Sequence, residues 1–349
     1  MNKLFLVRCL KPLYNDRGGW TDSRKENTMS NRKHLTLLKM GVEAWNTWRA
    51  KQREIQPDFS CANLAAASLS GAFLDHANFH GSNLEKAALE RTDLRGADLN
   101  AADLRQANLN GAILSKATLC GTDLSQATLS EAYLNRAAFN WANLSGANLS
   151  RASLNGADFR DANLHGMLLR GADVQEGNLM GTDLRKVDLE GTSLRRAKLI
   201  GANLSGVNLS GADLREAQFM GADLTGANLS EANLSRADLR SVDLCGANLS
   251  RADLSEAKLV RANLVGANLQ EALLCGVDLS CSDLRRGEFT SADLYLADLS
   301  GTDLRGADLR GADLRGADLR RAQLQETDLS GTNLSGAVLS ETTPHEARG

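Results

Sequence analysis

Residues 301–320 read GTDLRGADLRGADLRGADLR, which is one five-residue unit repeated four times with a single change. The pattern extends in both directions without insertion or deletion. From Phe59 to Leu339, every residue whose number ends in 4 or 9 is large and apolar. We call this residue the centre of its unit; 50 of the 57 centres are Leu, six are Phe and one is Val174. A fixed internal period indicates a repeat architecture rather than a set of globular domains.

A period of five fits neither regular backbone. An α-helix has 3.6 residues per turn, so residues five apart do not stay on one face of it. In a β-strand, an odd spacing places successive centres on opposite faces. The residue two before the centre, the small position, is Ala in 40 of 57 units, and the residue directly before the centre is Asp or Asn in 39. The residue two after the centre, the corner position, holds 25 of the 31 glycines. Asp and Asn stabilise turns and Gly accepts a positive φ. Each unit is therefore predicted to be a short extended piece followed by a corner.

The number of sides follows from the residue types that recur along the chain. Five of the six Phe centres are separated by multiples of 20 residues, and only Phe289 lies elsewhere. Larger residues at the small position recur in the same way, since Met167, Val187 and Val207 fall in one column on three successive circuits. Because like side chains stack on like, we infer that 20 residues, or four units, make one circuit.

The repeat resembles the pentapeptide-repeat protein family over residues 57–341. This resemblance implies an all-β solenoid, a right-handed four-sided parallel β-helix in which centres and small positions point inward. At four units per coil, the 57 units give about 14 coils, and at the usual strand spacing the rod is roughly 70 Å long. The core is expected to include the following residues: Phe59, Phe79, Phe139, Phe159, Phe219, Leu204 and Leu309.

The sequence outside the repeat divides into three segments. Residues 1–29 have no periodicity and are expected to be a disordered tail, with Met29 as an alternative start. Residues 30–56 are expected to form a short N-terminal capping helix and a linker that cover the open edge of the first coil. The apolar stripe of that helix consists of Leu35, Leu38, Val42, Trp45 and Trp48. Residues 342–349 are a C-terminal tail in which no cap is visible.

The sequence contains no recognisable catalytic or cofactor motif, so we expect no enzymatic activity, no cofactor and no metal. His76 and His80 lie near Asp75, but we interpret them as exposed side chains without a metal. The six cysteines have no metal-ligand spacing. No apolar run is long enough for a signal peptide or a membrane span, so we expect a cytoplasmic protein with no membrane association.

Apolar residues at outward positions are the candidate partner-binding residues. One column, one residue after the centre, contains Met180, Ile200, Met220 and Val260, interrupted by Arg240. On another side, the residues that replace Asp or Asn before the centre are Phe73, Ile113, Tyr133 and Leu273, and Trp141 also points outward. Rows of exposed apolar side chains on a rigid rod are typical of a binding surface. The other interpretation is tolerated variation, or stacking that stabilises the rod itself.

The preferred functional hypothesis is a structural or scaffolding protein that binds an unknown protein partner through a side face. A homodimer, formed through the uncapped C-terminal end or a side face, is also open. The alternative from the family resemblance is an acidic DNA mimic that binds a type II topoisomerase such as gyrase. Residues 57–341 carry 27 Lys+Arg and 37 Asp+Glu, a net charge of −10. A duplex carries one charge per about 1.7 Å, so this rod is far less acidic. Nucleic acid itself is not an expected partner.

Overall fold

A computed structural model of the chain describes residues 31–342. The expected disordered tail of residues 1–29 and residues 343–349 of the C-terminal tail lie outside the described residues. From Asp58 to Val338, the residue before each centre pairs in parallel with the residue 20 positions later, with two interruptions at Asn163 and Asp188. The predicted right-handed, four-sided parallel β-helix is therefore confirmed.

Each coil of 20 residues has four sides. Side 1 contains the unit centred on Phe59 and every fourth unit after it, and sides 2, 3 and 4 begin with the units centred on Leu64, Leu69 and Leu74. The corner position of each unit joins its side to the next. Side 1 is therefore opposite side 3, and side 2 is opposite side 4.

The inside of the rod is a continuous column of centres and small positions. The expected core residues Phe59, Phe79, Phe139, Phe159, Phe219, Leu204 and Leu309 are all fully buried. Phe rings on neighbouring coils stack, with centroids 5.0 Å apart for Phe59 and Phe79. A buried Thr at the small position satisfies its hydroxyl by donating to a backbone carbonyl, as Thr92 does to Leu69 of the preceding coil at 3.0 Å. The buried threonines of the core therefore keep their hydroxyls hydrogen-bonded.

The unit around Leu309 shows why the repeat requires its polar residues. The Asp308 carboxylate accepts the N–H of Arg310 at 3.0 Å, and the Leu309 carbonyl accepts the N–H of Ala312 at 3.0 Å. Between them, Gly311 has a φ of 67°, a conformation that costs glycine least. Asp or Asn before the centre and Gly after it therefore build the turn at each corner.

The N-terminal cap consists of two helices rather than the single helix predicted. Helix α1 spans Arg32–Lys39 and helix α2 spans Val42–Lys51. Gly41, with a φ of 113°, separates them. The predicted N-terminal cap is confirmed. The apolar spacing continues across the break at Gly41, so periodicity alone did not show that the cap contains two helices. No helix within residues 31–342 has the length and apolarity needed to cross a membrane.

Side chains of α2 replace the coil that is missing below the first one. Trp45, fully buried, donates its indole N–H to the Phe73 carbonyl at 2.8 Å. Asn46 accepts the Phe73 N–H at 2.8 Å and donates to the Gly71 carbonyl at 2.9 Å. Arg49 donates to the carboxylate of Asp75 at 3.0 Å. The open ladder of side 4 is thus paired with side chains, as an exposed β edge requires.

Leu204→Asp is expected to destabilise the rod by more than about 4 kcal/mol, because it buries an unpaired carboxylate in the core. The neighbouring Ser205→Asp is the matched control, and its cost is expected to stay below about 1 kcal/mol at an outward position. Urea denaturation of both variants, followed by circular dichroism, measures the difference. Equal midpoints for the two variants would contradict the inward orientation of Leu204.

Acidification is expected to loosen the cap through His34. This side chain is 6% exposed, and its Nδ1 accepts the Asp58 N–H at 3.2 Å. Burial, opposed by Asp58 and reinforced by Arg49, lowers the His34 pKa below its ordinary value of 6.5. The unfolded chain therefore binds more protons between that lowered pKa and 6.5, so stability is full above this window and falls as the pH falls through it.

The measurement is the melting temperature of the full chain, followed by Trp fluorescence, at about pH 7.5 and about pH 5, on either side of the ordinary histidine pKa. His34→Gln is expected to reduce the pH dependence, because a Gln amide can accept the same N–H without titrating. His165→Gln, at an exposed position, is the control and should retain the wild-type dependence. A pH dependence that is unchanged in His34→Gln would refute this role.

Candidate protein-binding surface

The two sets of candidate residues lie on neighbouring sides of the rod. Met180, Ile200, Met220 and Val260 lie on side 1, with Met180 and Met220 exposed and the other two half-buried. Phe73, Ile113, Tyr133 and Leu273 lie on side 4; Ile113 is half-buried and the others are exposed. Sides 4 and 1 share a corner, so both sets belong to one half of the circumference.

Met180, Ile200 and Met220 form the central stripe of side 1. They occupy the same position on three successive coils, so their backbones are spaced at about 4.8 Å along the rod. Next to them, the corner between sides 1 and 2 is Gly181, Gly201 and Gly221, and an added Cβ on any of these would have no atom within 4 Å. Because these corner residues have no side chains, no corner side chain covers the central stripe along this edge. A partner could approach the three apolar side chains from above and from this edge.

The other edge of the central stripe is a ladder of alternating charge. At the corner between sides 4 and 1, five successive coils carry Glu176, Arg196, Glu216, Arg236 and Glu256. Arg196 binds Glu216 at 2.8 Å and Arg236 binds Glu256 at 2.9 Å. The hydrogen bonds from Arg196, and then from Arg195, lower the pKa of Glu216 to about 2. This edge therefore remains ionised at physiological pH, with its charges paired from Arg196 to Glu256.

Ion pairs also close the ends of the central stripe. Arg160 pairs with Asp158 at 2.6 Å on the coil before it, and Arg240 pairs with Asp238 at 2.6 Å on the coil after it. The hydrogen bond from Arg240 holds the pKa of Asp238 below its ordinary value. By contrast, the exposed Lys198 on side 1 makes no ion pair within residues 31–342. On the face of side 1, Lys198 is the one charged residue across the three coils of the central stripe, so the charge of that face is positive.

The set on side 4 is less continuous. Ile113 and Tyr133 are neighbours on successive coils, and Tyr133 is 53% exposed. Phe73 belongs to the cap, since its backbone is bound by Trp45 and Asn46. Trp141 occupies the corner between sides 1 and 2, so the full width of side 1 separates it from Tyr133. Tyr133 on side 4 and Trp141 therefore do not form one cluster.

Sequence reasoning missed Tyr295 and Leu296. They are 40% and 55% exposed and lie at the end of side 4, one coil above Leu273. The Arg315 guanidinium lies 5.5 Å from the centroid of the Tyr295 ring. Leu296 occupies a corner position with a φ of 56°, where Gly is favoured. The signal was present in the sequence, because Asp-Leu-Tyr-Leu at 293–296 replaces the usual Asp-Leu-Arg-Gly.

Side 3, opposite the central stripe, is polar. Asn208, Asn228 and Asn248 form a side-chain ladder along it, with amide hydrogen bonds of 3.1 and 3.2 Å between neighbours. Among the described residues of sides 2 and 3, away from the shared corner with side 1, Leu168 is the one exposed large apolar side chain. The exposed apolar residues between the cap and the last coil are thus concentrated on sides 4 and 1 and their corners.

The C-terminal end of the described rod also exposes apolar residues. Val338 and Leu339, in the last unit, are 45% and 43% exposed. Residues 343–349 follow directly and lie outside the described residues. The homodimer through this end stays a prediction.

The residues that sequence analysis considered for metal binding do not form a ligand set. Within residues 31–342, no group of three or more His, Cys, Asp or Glu side chains is placed to hold a metal ion. Asp75 instead binds Arg49 at 3.0 Å in the cap. The described outward faces carry apolar, charged and polar strips.

The repeat is shared with known proteins. A family model described as pentapeptide repeats matches successive overlapping segments between residues 58 and 341. Comparison with curated proteins found no significant match. Among solved structures, the chain is 34% identical to HetL, a pentapeptide repeat protein involved in heterocyst differentiation regulation in the cyanobacterium Nostoc. That match covers 73% of this chain and 92% of HetL, with a TM-score of 0.22.

Two further structures are similar over part of the chain. Rfr23, a pentapeptide repeat protein from the cyanobacterium Cyanothece, is 30% identical over 42% of this chain and 91% of its own, with a TM-score of 0.24. QnrB1, a plasmid-mediated fluoroquinolone resistance protein, is 20% identical over 62% of this chain and 90% of its own, with a TM-score of 0.30.

Leu296→Gly is expected to leave the free energy of unfolding unchanged or to raise it by up to about 1 kcal/mol. It removes a left-handed penalty of about 1–2 kcal/mol and adds an entropic cost of roughly 0.5–1 kcal/mol. Leu294→Gly, at the buried centre of the same unit, is the matched control and is expected to lose more than about 3 kcal/mol. Denaturant titration measures both. A Leu296→Gly variant that is clearly less stable than wild type would show that Leu296 is there for stability.

Proposed function

The chain belongs to the pentapeptide-repeat family, and we propose that it is a non-enzymatic binding protein that holds a protein partner against sides 1 and 4 of its rod. The rod supplies a rigid, repetitive support, and the departures from the repeat supply the contact residues. The site of strongest contact is the central stripe of Met180, Ile200 and Met220.

The observation that carries this proposal is the distribution of exposed apolar side chains. Chance variation at outward positions would scatter such residues over four sides, and singly exposed apolar residues need no explanation. Here they concentrate on two adjacent sides, while the opposite side presents Asn and Ser ladders. An apolar surface with a polar rim is the usual composition of a protein interface. Methionine adds adaptability, because its unbranched side chain can fit surfaces of different shape.

The charges beside the central stripe specify the chemistry of the partner. Lys198 lies on side 1 between the charge ladder and the apolar column, and Lys258 lies in the same column as Lys198. Neither makes an ion pair within the described residues. A complementary partner would present apolar side chains flanked by carboxylates, because opposite charges at the rim steer association and fix its orientation.

The ion pairs argue against the DNA-mimic alternative. On the coil from Asp303 to Arg320, each of the four sides pairs an aspartate with the arginine two residues later, at 2.5–2.7 Å. These guanidinium groups neutralise carboxylates that a duplex mimic would leave open. The remaining field is therefore weak and of mixed sign, unlike the dense single-sign charge of a duplex.

The absence of enzymatic activity is part of the proposal. Outward aspartates are engaged in the turn, in an arginine pair, or in both, as Asp308 is with the N–H and the guanidinium of Arg310. General acid or base catalysis requires a carboxyl or imidazole directed at a bound substrate. The described outward faces of the rod are instead shallow, and their titratable groups serve the repeat.

Replacing Met180, Ile200 and Met220 together with Ser is expected to abolish partner capture. The measurement is affinity capture with the tagged full chain from a lysate of the organism that carries the gene, followed by quantitative mass spectrometry. The matched control changes Ser210, Ser230 and Ser250 to Ala, the equivalent positions on side 3. Proteins retained by wild type and control but lost from the triple Ser variant would support the proposal, provided circular dichroism shows that both variants fold.

Two outcomes would overturn the proposal. If the same proteins are recovered with the triple Ser variant, the central stripe is not the contact. If the wild type and the triple Ser variant both inhibit gyrase supercoiling at stoichiometric protein, the DNA-mimic alternative is correct. Exchange of Lys198 for Glu gives an independent check, since a partner with carboxylates at its rim would then bind more weakly.

A further inference from the structure

The hydrogen-bond ladder between coils breaks in one region of the rod. Elsewhere from Phe59 to Arg321, each centre and each corner residue donates its N–H to the following coil, as Leu204 does to Asp223 at 2.7 Å. Between residues 161 and 213, some of these donors reach no carbonyl within the described residues, and neither do some N–H groups of residues before a centre, which elsewhere bond the preceding coil. On side 2 they are the N–H groups of Leu164, Gly166 and Asp183, and on side 3 those of Leu189, Gly191 and Asn208.

Further signs of distortion lie in the same region. The N–H groups of Asp161, Lys186 and Asp213 also lack their coil-to-coil bond. Lys186 is the one corner residue from Cys61 to Glu341 that does not have a positive φ. These departures centre on the corner between sides 2 and 3, and they extend to Asp161 at the corner between sides 1 and 2 and to Asp213 on side 4.

Three oversized side chains occupy the inside of that corner. Met167, Val187 and Val207 fill the small position on three successive coils, where Ala is the common residue. Val187 and Val207 are 7% and 4% exposed, although most small-position residues are at 0–2%. Extra methyl and methylene groups in a close-packed core force the backbone apart. Stacked at one corner, they act as a wedge between the coils.

Single Val residues at the small position do not have this effect. Val242 lies between Ala222 and Ala262, and the bonds from Asp243 and Asn263 on either side of it are intact at 3.0 and 2.9 Å. Val277 is likewise flanked by Ala, and the Asp298 N–H reaches its carbonyl at 2.9 Å. One large residue is absorbed by small neighbours. Three in succession have no small neighbour between them. On side 3 the Asp188 N–H still reaches the Met167 carbonyl at 3.1 Å, and the bonds are lost between the coils of Val187 and Val207.

We propose that residues 161–213 form a joint in the rod, where the corner between sides 2 and 3 opens while the coils on either side stay closed. The ladder on the other two sides is largely kept across the joint, with Leu179 bonded to Lys198 and Val174 bonded to Ser193, each at 2.8 Å. Opening one corner while the opposite sides hold bends the rod toward sides 1 and 4. The central stripe lies on the inner side of that bend, so the rod can curve around what it binds.

Hydrogen exchange of the full chain, followed by mass spectrometry, tests the joint. In the wild type, peptides covering 183–191 and 208–213 are expected to exchange at least about tenfold faster than the equivalent peptides 243–251 and 268–273. The joint variant carries Val187→Ala and Val207→Ala, which restores the common small residue. It is expected to slow exchange in the first two peptides at least about tenfold. The control variant, Val242→Ala with Val277→Ala, should leave them unchanged.

The melting temperature is a second readout, and the change expected for the joint variant is opposite to the usual effect of removing buried methyl groups. Removing buried methyl groups normally destabilises a protein, and the control variant is expected to melt lower than wild type. The joint variant is expected to melt at the wild-type temperature or above it, because it regains backbone hydrogen bonds. Uniform exchange along the wild-type rod would overturn the proposal. A joint variant that melts as low as the control, with its exchange unchanged or faster, would overturn it as well. Partner binding is not needed for either readout, so this test is independent of the proposed function.

Discussion

The whole structure depends on the fit between one coil and the next. Each backbone N–H of the ladder must find a carbonyl at the spacing of parallel strands, about 4.8 Å. That spacing holds only if the side chains inside every coil have nearly the same volume as those above and below. Leu at the centre and Ala at the small position meet this condition, and buried Thr meets it by bonding a backbone carbonyl. The strictness of the repeat follows from this stacking, because a misfit on one coil is transmitted to its neighbours.

The sequence predicted the fold because this constraint limits the residue types at the same positions of every unit. The columns of Phe at multiples of 20 gave the four-sided circuit, and the stacked rings of Phe139 and Phe159, 4.9 Å apart, show its physical basis. The cap was predicted less well. Its apolar spacing runs through Gly41, so one helix was expected where two occur. A break set by one backbone angle leaves no trace in hydrophobic periodicity, whereas a break in the pentapeptide pattern would have been obvious.

The candidate surface was only half visible in the sequence. Columns such as Met180, Ile200 and Met220 can be read directly, because positions 20 apart must stack. To place one column beside another, the positions of the corners must also be known. Trp141 was considered together with Tyr133, but Tyr133 lies on side 4 and Trp141 lies at the far corner of side 1. The missing hydrogen bonds between residues 161 and 213 could not be predicted. The stack of Met167, Val187 and Val207 is visible in the sequence, but its effect depends on how far the backbone moves to accommodate it.

Trp141 and Leu296 are the two residues that stability alone explains least. Both occupy corner positions with left-handed φ values of 64° and 56°, which is costly for a large side chain. Both also leave a large apolar group about half exposed, at 45% and 55%. Glycine would remove the strain and the exposed apolar surface together, and the repeat uses glycine at this position more than any other residue. Corner residues other than glycine commonly share this φ in the rod, so the exposed apolar bulk of these two, rather than the backbone angle, sets them apart. The two residues stand at opposite corners of side 1, with the central stripe between them along the rod.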